Sequence, residues 1–197
     1  MAQLPRSHDS FETKLQAWRL WAARETQLRT LFGLCIVDGV VSQFSGNLVN
    51  TWPATNSLPL AADEEAFCAD TPNEWLQIMT ERGEDGSRSM SKRIPDIYRS
   101  LLAEGPGISG EYHLPGLLNI KIVLEMLASP TADFEREARA EAGVQSKLKA
   151  VKALCSLRRH ISQSCKLTVA EKSIGLLRWH AVCLDLVVNT ARGARRM

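Results

Sequence analysis

Apolar residues recur along this chain at helical spacing. Phe11, Leu15, Trp18 and Ala22 are separated by four, three and four positions, which puts them on one face of a helix. Asp9 followed by Glu12 has the form of an N-terminal cap with its reciprocal partner. The apolar run continues through Leu28, Leu31, Phe32 and Cys35 to about Phe44, and Gly33 and Gly39 predict a kink, a break or two stacked helices within it. From Ser45 to Leu60 the period is lost. Gly46, Asn47, Asn50, Pro53, Asn56, Ser57 and Pro59 favour an ordered loop, with Trp52 and Leu58 placed to pin it to the core.

Thr71-Pro72-Asn73-Glu74 is a helix start: Thr71 caps, Pro72 presets the first backbone angle and Glu74 reaches back. Trp75, Leu76, Ile78 and Met79 belong to the short helix begun there. Glu81 to Arg93 has almost nothing to bury and predicts a mobile polar loop. A short helix is expected over 94–103, then a break at Gly105 to Gly110. A further helix over 113–127 carries Leu117, Ile120, Val123, Leu124 and Leu127. Ser129-Pro130 opens a helix running to about Ser164, with Val144, Leu148, Val151 and Cys155 on one stripe and Leu154, Leu157 and Ile161 beside it. Thr168 to Glu171 is a second capping box, and the last helix presents Ile174, Leu177, Ala181, Leu184 and Val188 as its apolar stripe. No strand-like alternation persists and no solenoid repeat is present. The expectation is one all-α domain over 1–197: a helical bundle with a long ordered loop between its first helices and a mobile polar loop near 81–93.

Composition narrows the function classes. The 197 residues include 24 Lys and Arg against 22 Asp and Glu, a formal net charge of +2, which argues against a nucleic-acid binder working by bulk charge. A hydrophobic content of 45% argues against a disordered chain. The first residues have no apolar core of a secretory signal, and the apolar runs at Leu31–Val41 and Ala181–Val188 are too short to span a membrane. Five scattered cysteines without a C-x-x-C pair fit neither a disulfide framework nor a structural zinc site. Cys35, Cys155 and Cys183 sit among aliphatic residues and read as core.

Candidate chemistry is sparse. None of the four histidines belongs to an H-E-x-x-H motif, and no phosphate loop or nucleophile elbow is present. His180, expected buried or half-buried, lies three residues before Cys183, within reach on one helix, but apolar surroundings oppose a reactive thiolate. No catalytic residue, metal or cofactor is assigned. Cys35, Trp179, His180 and Cys183 are retained as the residues of a possible pocket. Trp18, Trp21, Trp52 and Trp75 are expected to gather as one aromatic cluster that fixes the loop against the helices. The basic tail over 191–197 reads as a positive helix end.

The ordered series Leu15-x-x-Trp18-x-x-Trp21-x-x-x-Glu25-x-x-x-Arg29-x-x-Phe32, Asp38, Asn47, Leu58-Pro59-Leu60, Asp63 to Phe67 and Glu74-Trp75 resembles the fungal-specific transcription factor domain. That domain is the regulatory middle homology region found after zinc cluster or zinc finger modules. Phe67-Cys68-Ala69 stands where the family shows Trp-x-Ala, and the segment from Leu177 to Leu184 is similar to its downstream tryptophan helix. The match covers 15–79 well and 167–192 loosely. The resemblance implies an all-α fold, nuclear action and control of a metabolic or secondary-metabolite gene set; without it the chain reads as cytoplasmic. The chain contains no zinc cluster or zinc finger, so it looks like a detached or truncated regulator that does not bind DNA by itself. Its expected partners are a complete regulator or a second copy, with a small-molecule effector as a further option and no membrane. The organising residues are Trp18, Trp21, Glu25, Arg29, Asp38, Trp52 and Trp75; Glu25 and Arg29 are expected to form an ion pair that also engages the loop from Leu58 to Asp63. The alternative is a small helical enzyme or ligand carrier with a Trp, Cys and His pocket.

Overall fold

The computed structural model describes residues 4–45, 58–86, 93–102, 114, 116–128 and 143–194. Its elements are α1 (Phe11–Ser45), α2 (Glu64–Phe67), α3 (Pro72–Gly86), α4 (Ile94–Leu102), α5 (Gly116–Ala128), α6 (Gly143–Gln163) and α7 (Val169–Ala194). The fold is all-α. Among the described residues the only extended pairing is an isolated bridge between Pro59 and Arg93.

Helix α1 runs unbroken for 35 residues, so the break expected at Gly33 and Gly39 does not occur. A glycine in a helix costs about 1 kcal/mol relative to alanine, which one continuous packed face outweighs. That face is Trp18, Trp21, Glu25, Leu28, Phe32, Cys35 and Gly39, at alternating spacings of three and four. Gly39 is closely approached on it. A Cβ there would collide with the Glu125 carboxylate of α5. The cap also differs from the expected one by a residue. Ser10 accepts the Thr13 amide at 3.2 Å, and Asp9 instead receives the Arg6 amide at 2.7 Å in the preceding turn. Phe11 is exposed, so the buried stripe starts further along.

Helix α3 begins as expected. Thr71 accepts the Glu74 amide at 3.2 Å, while Glu74 reaches one residue further back, to the Asp70 amide at 3.0 Å. The helix does not stop near Met79. It continues to Gly86, with Gln77 donating to Glu81 at 2.8 Å and Thr80 to the Leu76 carbonyl at 2.7 Å. Local polar pairing thus sustains helix where burial is lacking. The rest of the loop expected there, 87–92, lies outside the described residues.

Helix α5 is the centre of the molecule. It starts at Gly116, whose φ of +71° is left-handed backbone suited to glycine. Ile120, Ile122, Val123, Leu124, Met126 and Leu127 are all buried, on every side of the helix. Ile120, Val123, Leu124 and Leu127 pack with Ile97 and Leu101 of α4, Leu154, Leu157 and Ile161 of α6 and Val182 of α7. Ile122 and Met126 face the other way, toward Leu28, Phe32, Cys35, Ala61 and Ile94. Each such side chain contributes about 1.5–3 kcal/mol by leaving water.

Helices α6 and α7 form a hairpin. Thr168 accepts the Glu171 amide at 3.2 Å and Glu171 accepts the Thr168 amide at 2.8 Å, a complete capping box. Two registers expected from the sequence are corrected here. On α6, Leu154, Leu157 and Ile161 are buried, but Val151 and Cys155 face solvent; the side chains of Val144 and Leu148 and the opening at Ser129-Pro130 lie outside the described residues. On α7, Ile174, Leu177, Leu184 and Val188 are exposed, and the inward face is Gly175, Trp179, Val182 and Leu186. Gly175 is buried at this contact, where a Cβ would lie at ordinary packing distance, 3.4 Å from Ile161 and 3.5 Å from Leu117.

Asn119 of α5 is fully buried and bonds both ways to Ala61, donating to its carbonyl at 2.9 Å and accepting its amide at 3.0 Å. Asn119→Leu would leave both backbone groups of Ala61 buried without a partner. It is expected to lower stability by about 2–4 kcal/mol, read as a lower urea midpoint at unchanged slope. An unchanged midpoint would show that Ala61 finds other partners.

Candidate functional site

Two features stand out: a polar and aromatic clamp on the segment after α1, and an apolar face left uncovered on α7.

The clamp starts from Glu25 and Arg29, one turn apart on α1. Arg29 Nε donates to Glu25 Oε1 at 3.0 Å. Its other nitrogens reach the Glu64 carboxylate at 2.7 Å and the Ala62 carbonyl at 3.0 Å. Glu25 Oε1 also accepts the Ala62 amide at 2.9 Å. Ala62 is thereby held at both its N–H and its C=O, and the Arg29 guanidinium lies 3.9 Å from the Phe67 ring centre, an additional cation–π contact. The ion pair and its hold on the loop from Leu58 to Asp63 are both present. Lys166, in the turn between α6 and α7, ties the same segment from the far side through Asp63 at 3.8 Å.

Leu58 and Leu60 pack on the cluster of Leu28, Phe32, Ile94 and Ile122, so the described part of the connector is held by aliphatic and polar groups. The indoles act one segment later. Trp21 and Trp75 stack tilted at 5.6 Å, and with Trp18 they enclose Ala66, Ala69, Leu76 and Met79 in and around α2 and α3. Trp52 and Asn47 lie outside the described residues. Asp38 is half-buried on α1.

The residues considered for a pocket do not converge. Cys35 is buried in the cluster shared with Phe32, whereas Cys183 edges the separate cluster around Leu154 and Val182. His180 is exposed, not buried, with its ring edge-on to Trp179 at 4.9 Å. Trp179 turns inward and donates its indole N–H to the Leu154 carbonyl at 2.7 Å. Burial pushes the Cys183 thiol above its ordinary range, helped by the neighbouring Cys155 and opposed by Arg158. A hollow of about 400 Å³, open to solvent, lies elsewhere, between Ser7, Lys14, Asn73, Leu76, Gln77, Thr80 and Glu81. None of the Trp, Cys or His candidates lines it. Among the described residues no group of three His, Cys, Asp or Glu side chains could hold a metal ion, and no helix is long and apolar enough to cross a membrane.

Three features escape sequence reasoning. Asn119 looks like a single polar position on an apolar helix. The Glu125–Arg178 pair, bidentate with Arg178 Nε at 2.6 Å from Oε1 and Nη2 at 2.5 Å from Oε2, joins residues 53 positions apart and has no local signal. The third is the uncovered face of α7, where Leu177 is 73% exposed, Val187 67% and Leu184 66%. On α1, Leu31, Leu34, Val37 and Val41 are likewise exposed. The spacing 174, 177, 181, 184, 188 does reveal an apolar stripe, but the stripe points outward.

No family model, curated protein or solved structure matches the chain.

Arg29→Glu would set three carboxylates together at Glu25, position 29 and Glu64 and would release Ala62. The Glu25 and Arg29 side chains are largely buried, 7% and 14% exposed, so the expected loss is about 3–5 kcal/mol. Faster hydrogen exchange at the Ala61 to Asp63 amides should accompany the drop in melting temperature. Unchanged melting and exchange would refute the clamp.

Proposed function

We propose that this chain is a helical interaction module that works by contact with a protein partner, in the manner of the regulatory region of a fungal transcription factor. The observation that carries this reading is the apolar face of α7. Ile174, Leu177, Leu184, Val187 and Val188 are all exposed on a single helix. A contiguous apolar stripe in water is unfavourable and marks a surface meant to be covered. Its 3–4 spacing suits a partner helix laid along it. The Cys, His and Trp candidates do not line the hollow beside Lys14 and Leu76, and Cys35 and Cys183 belong to separate clusters, which favours contact over bond-making.

The likeness to the fungal-specific domain supplies the biological setting of the proposal. The partner is a complete regulator carrying its own DNA-binding module, the compartment is the nucleus, and the outcome is control of a metabolic or secondary-metabolite gene set. Direct DNA contact is not part of the proposal, since a net charge of +2 provides little counterion release.

The test pairs a gel shift with partner capture. The isolated chain is expected to leave DNA unretarded at physiological salt and to co-purify with a complete zinc cluster regulator. Leu177→Asp with Leu184→Asp should weaken that capture at least about tenfold, equivalent to about 1.4 kcal/mol, while circular dichroism stays unchanged because both positions are exposed. Tight DNA binding by the chain alone, or capture indifferent to the double variant, would overturn the reading.

A further inference from the structure

The outward residues of α7 fall into a heptad register, a repeat of seven positions lettered a to g in which a and d form the contact seam. Placing Ile174 at a puts Leu177 at d, Ala181 at a, Leu184 at d and Val188 at a. Of these, Ile174, Leu177, Leu184 and Val188 are exposed. β-branched side chains at a with leucine at d favour two parallel strands. The inward residues of the same helix take the opposite positions. Gly175 and Val182 fall at b, Trp179 and Leu186 at f, and Arg178 at e reaches back to Glu125. The seam therefore points away from the body of the molecule. Two copies can bring their α7 helices together while the described parts of each stay on opposite sides.

We propose that α7 is a homodimerisation helix: two copies of this chain pair through a parallel, two-stranded coil built from Ile174, Leu177, Ala181, Leu184 and Val188. Charge complementarity selects a second copy as the occupant. In a parallel coil the g residue of one helix lies beside the e residue five positions later in the other, and such pairs set partner choice. The exposed His180, at g, thus meets the partner's Asp185, at e, and by symmetry the contact occurs twice. The imidazole N–H donates to the carboxylate. Ser173, the preceding g residue, faces the partner's Arg178, so no like charges oppose each other there. Val187, the next g residue, is exposed and widens the apolar seam. The seam covers two heptads, which is short for an isolated coiled coil. Helix α7 is already held in place by α5 and α6, however, so association does not carry the cost of ordering it.

This inference rests on the reading of α7 as a contact surface and adds that the surface is self-complementary, so a regulator that docks there displaces a second copy. The experiment uses the purified full chain with no regulator present. Sedimentation equilibrium is expected to show a mass that rises to twice the monomer value as loading increases. His180→Glu, which sets a carboxylate against the partner's Asp185, should weaken association several-fold. Leu177→Asp with Leu184→Asp should weaken it at least about a hundredfold, since each substitution enters the seam twice. Circular dichroism should not change, because all three positions are exposed. Orientation is read from Val188→Cys in a chain whose exposed thiols are removed by Cys68→Ser, Cys155→Ser and Cys165→Ser. Mild oxidation should give a covalent dimer joined through position 188 of both copies. A monomer mass at every loading, with the regulator still captured, would overturn this proposal and leave the docking reading standing. A dimer indifferent to the Asp substitutions, or one that does not join through position 188, would overturn it as well. A dimer that forms as described but captures no regulator supports the pairing and removes the docking reading alone.

Discussion

Placing a polar side chain inside a helix surrounded on all sides is tolerated only when a partner is waiting. Helix α5 imposes this condition twice. Asn119 takes the backbone of Ala61, and Glu125 takes the guanidinium of Arg178. The aliphatic residues of α5 would accept many packings of similar energy, whereas these two accept very few. Asn119 fixes the connector after α1 against the centre, and Glu125 fixes the rotation of α7. Gly39 belongs to the same arrangement, because the carboxylate that meets Arg178 occupies the space a side chain there would need.

The two ends of the molecule are consequently organised by different means. At the α1–α3 end a single residue, Ala62, is gripped through both of its backbone groups by an ion pair, and the indoles of Trp18, Trp21 and Trp75 close over α2 and the first turns of α3. At the α6–α7 end the contact is a helix hairpin in which the Trp179 indole donates to the Leu154 carbonyl and Val182 packs with Leu154, Leu157 and Ile161. Turning Arg178 and Trp179 inward leaves the most apolar stripe of α7 in water.

Local order is legible in the sequence, and long-range choice is not. The helix starts at Thr71 and Thr168 arise from interactions within a turn or two. The pairing of Glu25 with Arg29 has the same basis, being one turn of helix. The rotation of α7 does not. Judged by hydropathy, 174, 177, 181, 184 and 188 form the better inward stripe. The winning stripe contains a glycine and an arginine, which become favourable only once Ile161 and Glu125 stand opposite. The indole cluster is foreseeable from the spacing, but its cargo lies one segment later than expected, because nothing local distinguishes a tryptophan that covers a connector from one that covers the next helix. For the uncovered face, the sequence contains the stripe and lacks only the information that no described element of the chain covers it.

The central position of α5 also bears on how the protein is made. Its neighbours come from both sides of the sequence, with α1 synthesised before it and α7 after it. As the chain leaves the ribosome at about 5–20 residues per second, α5 emerges as an apolar rod with Glu125 still lacking its arginine. For the several seconds before α7 arrives, the nascent chain offers this rod to any passing hydrophobic surface. The buried asymmetry that gives the finished bundle a single arrangement is thus the source of a vulnerable interval during its birth, when a chaperone would find its most adhesive segment.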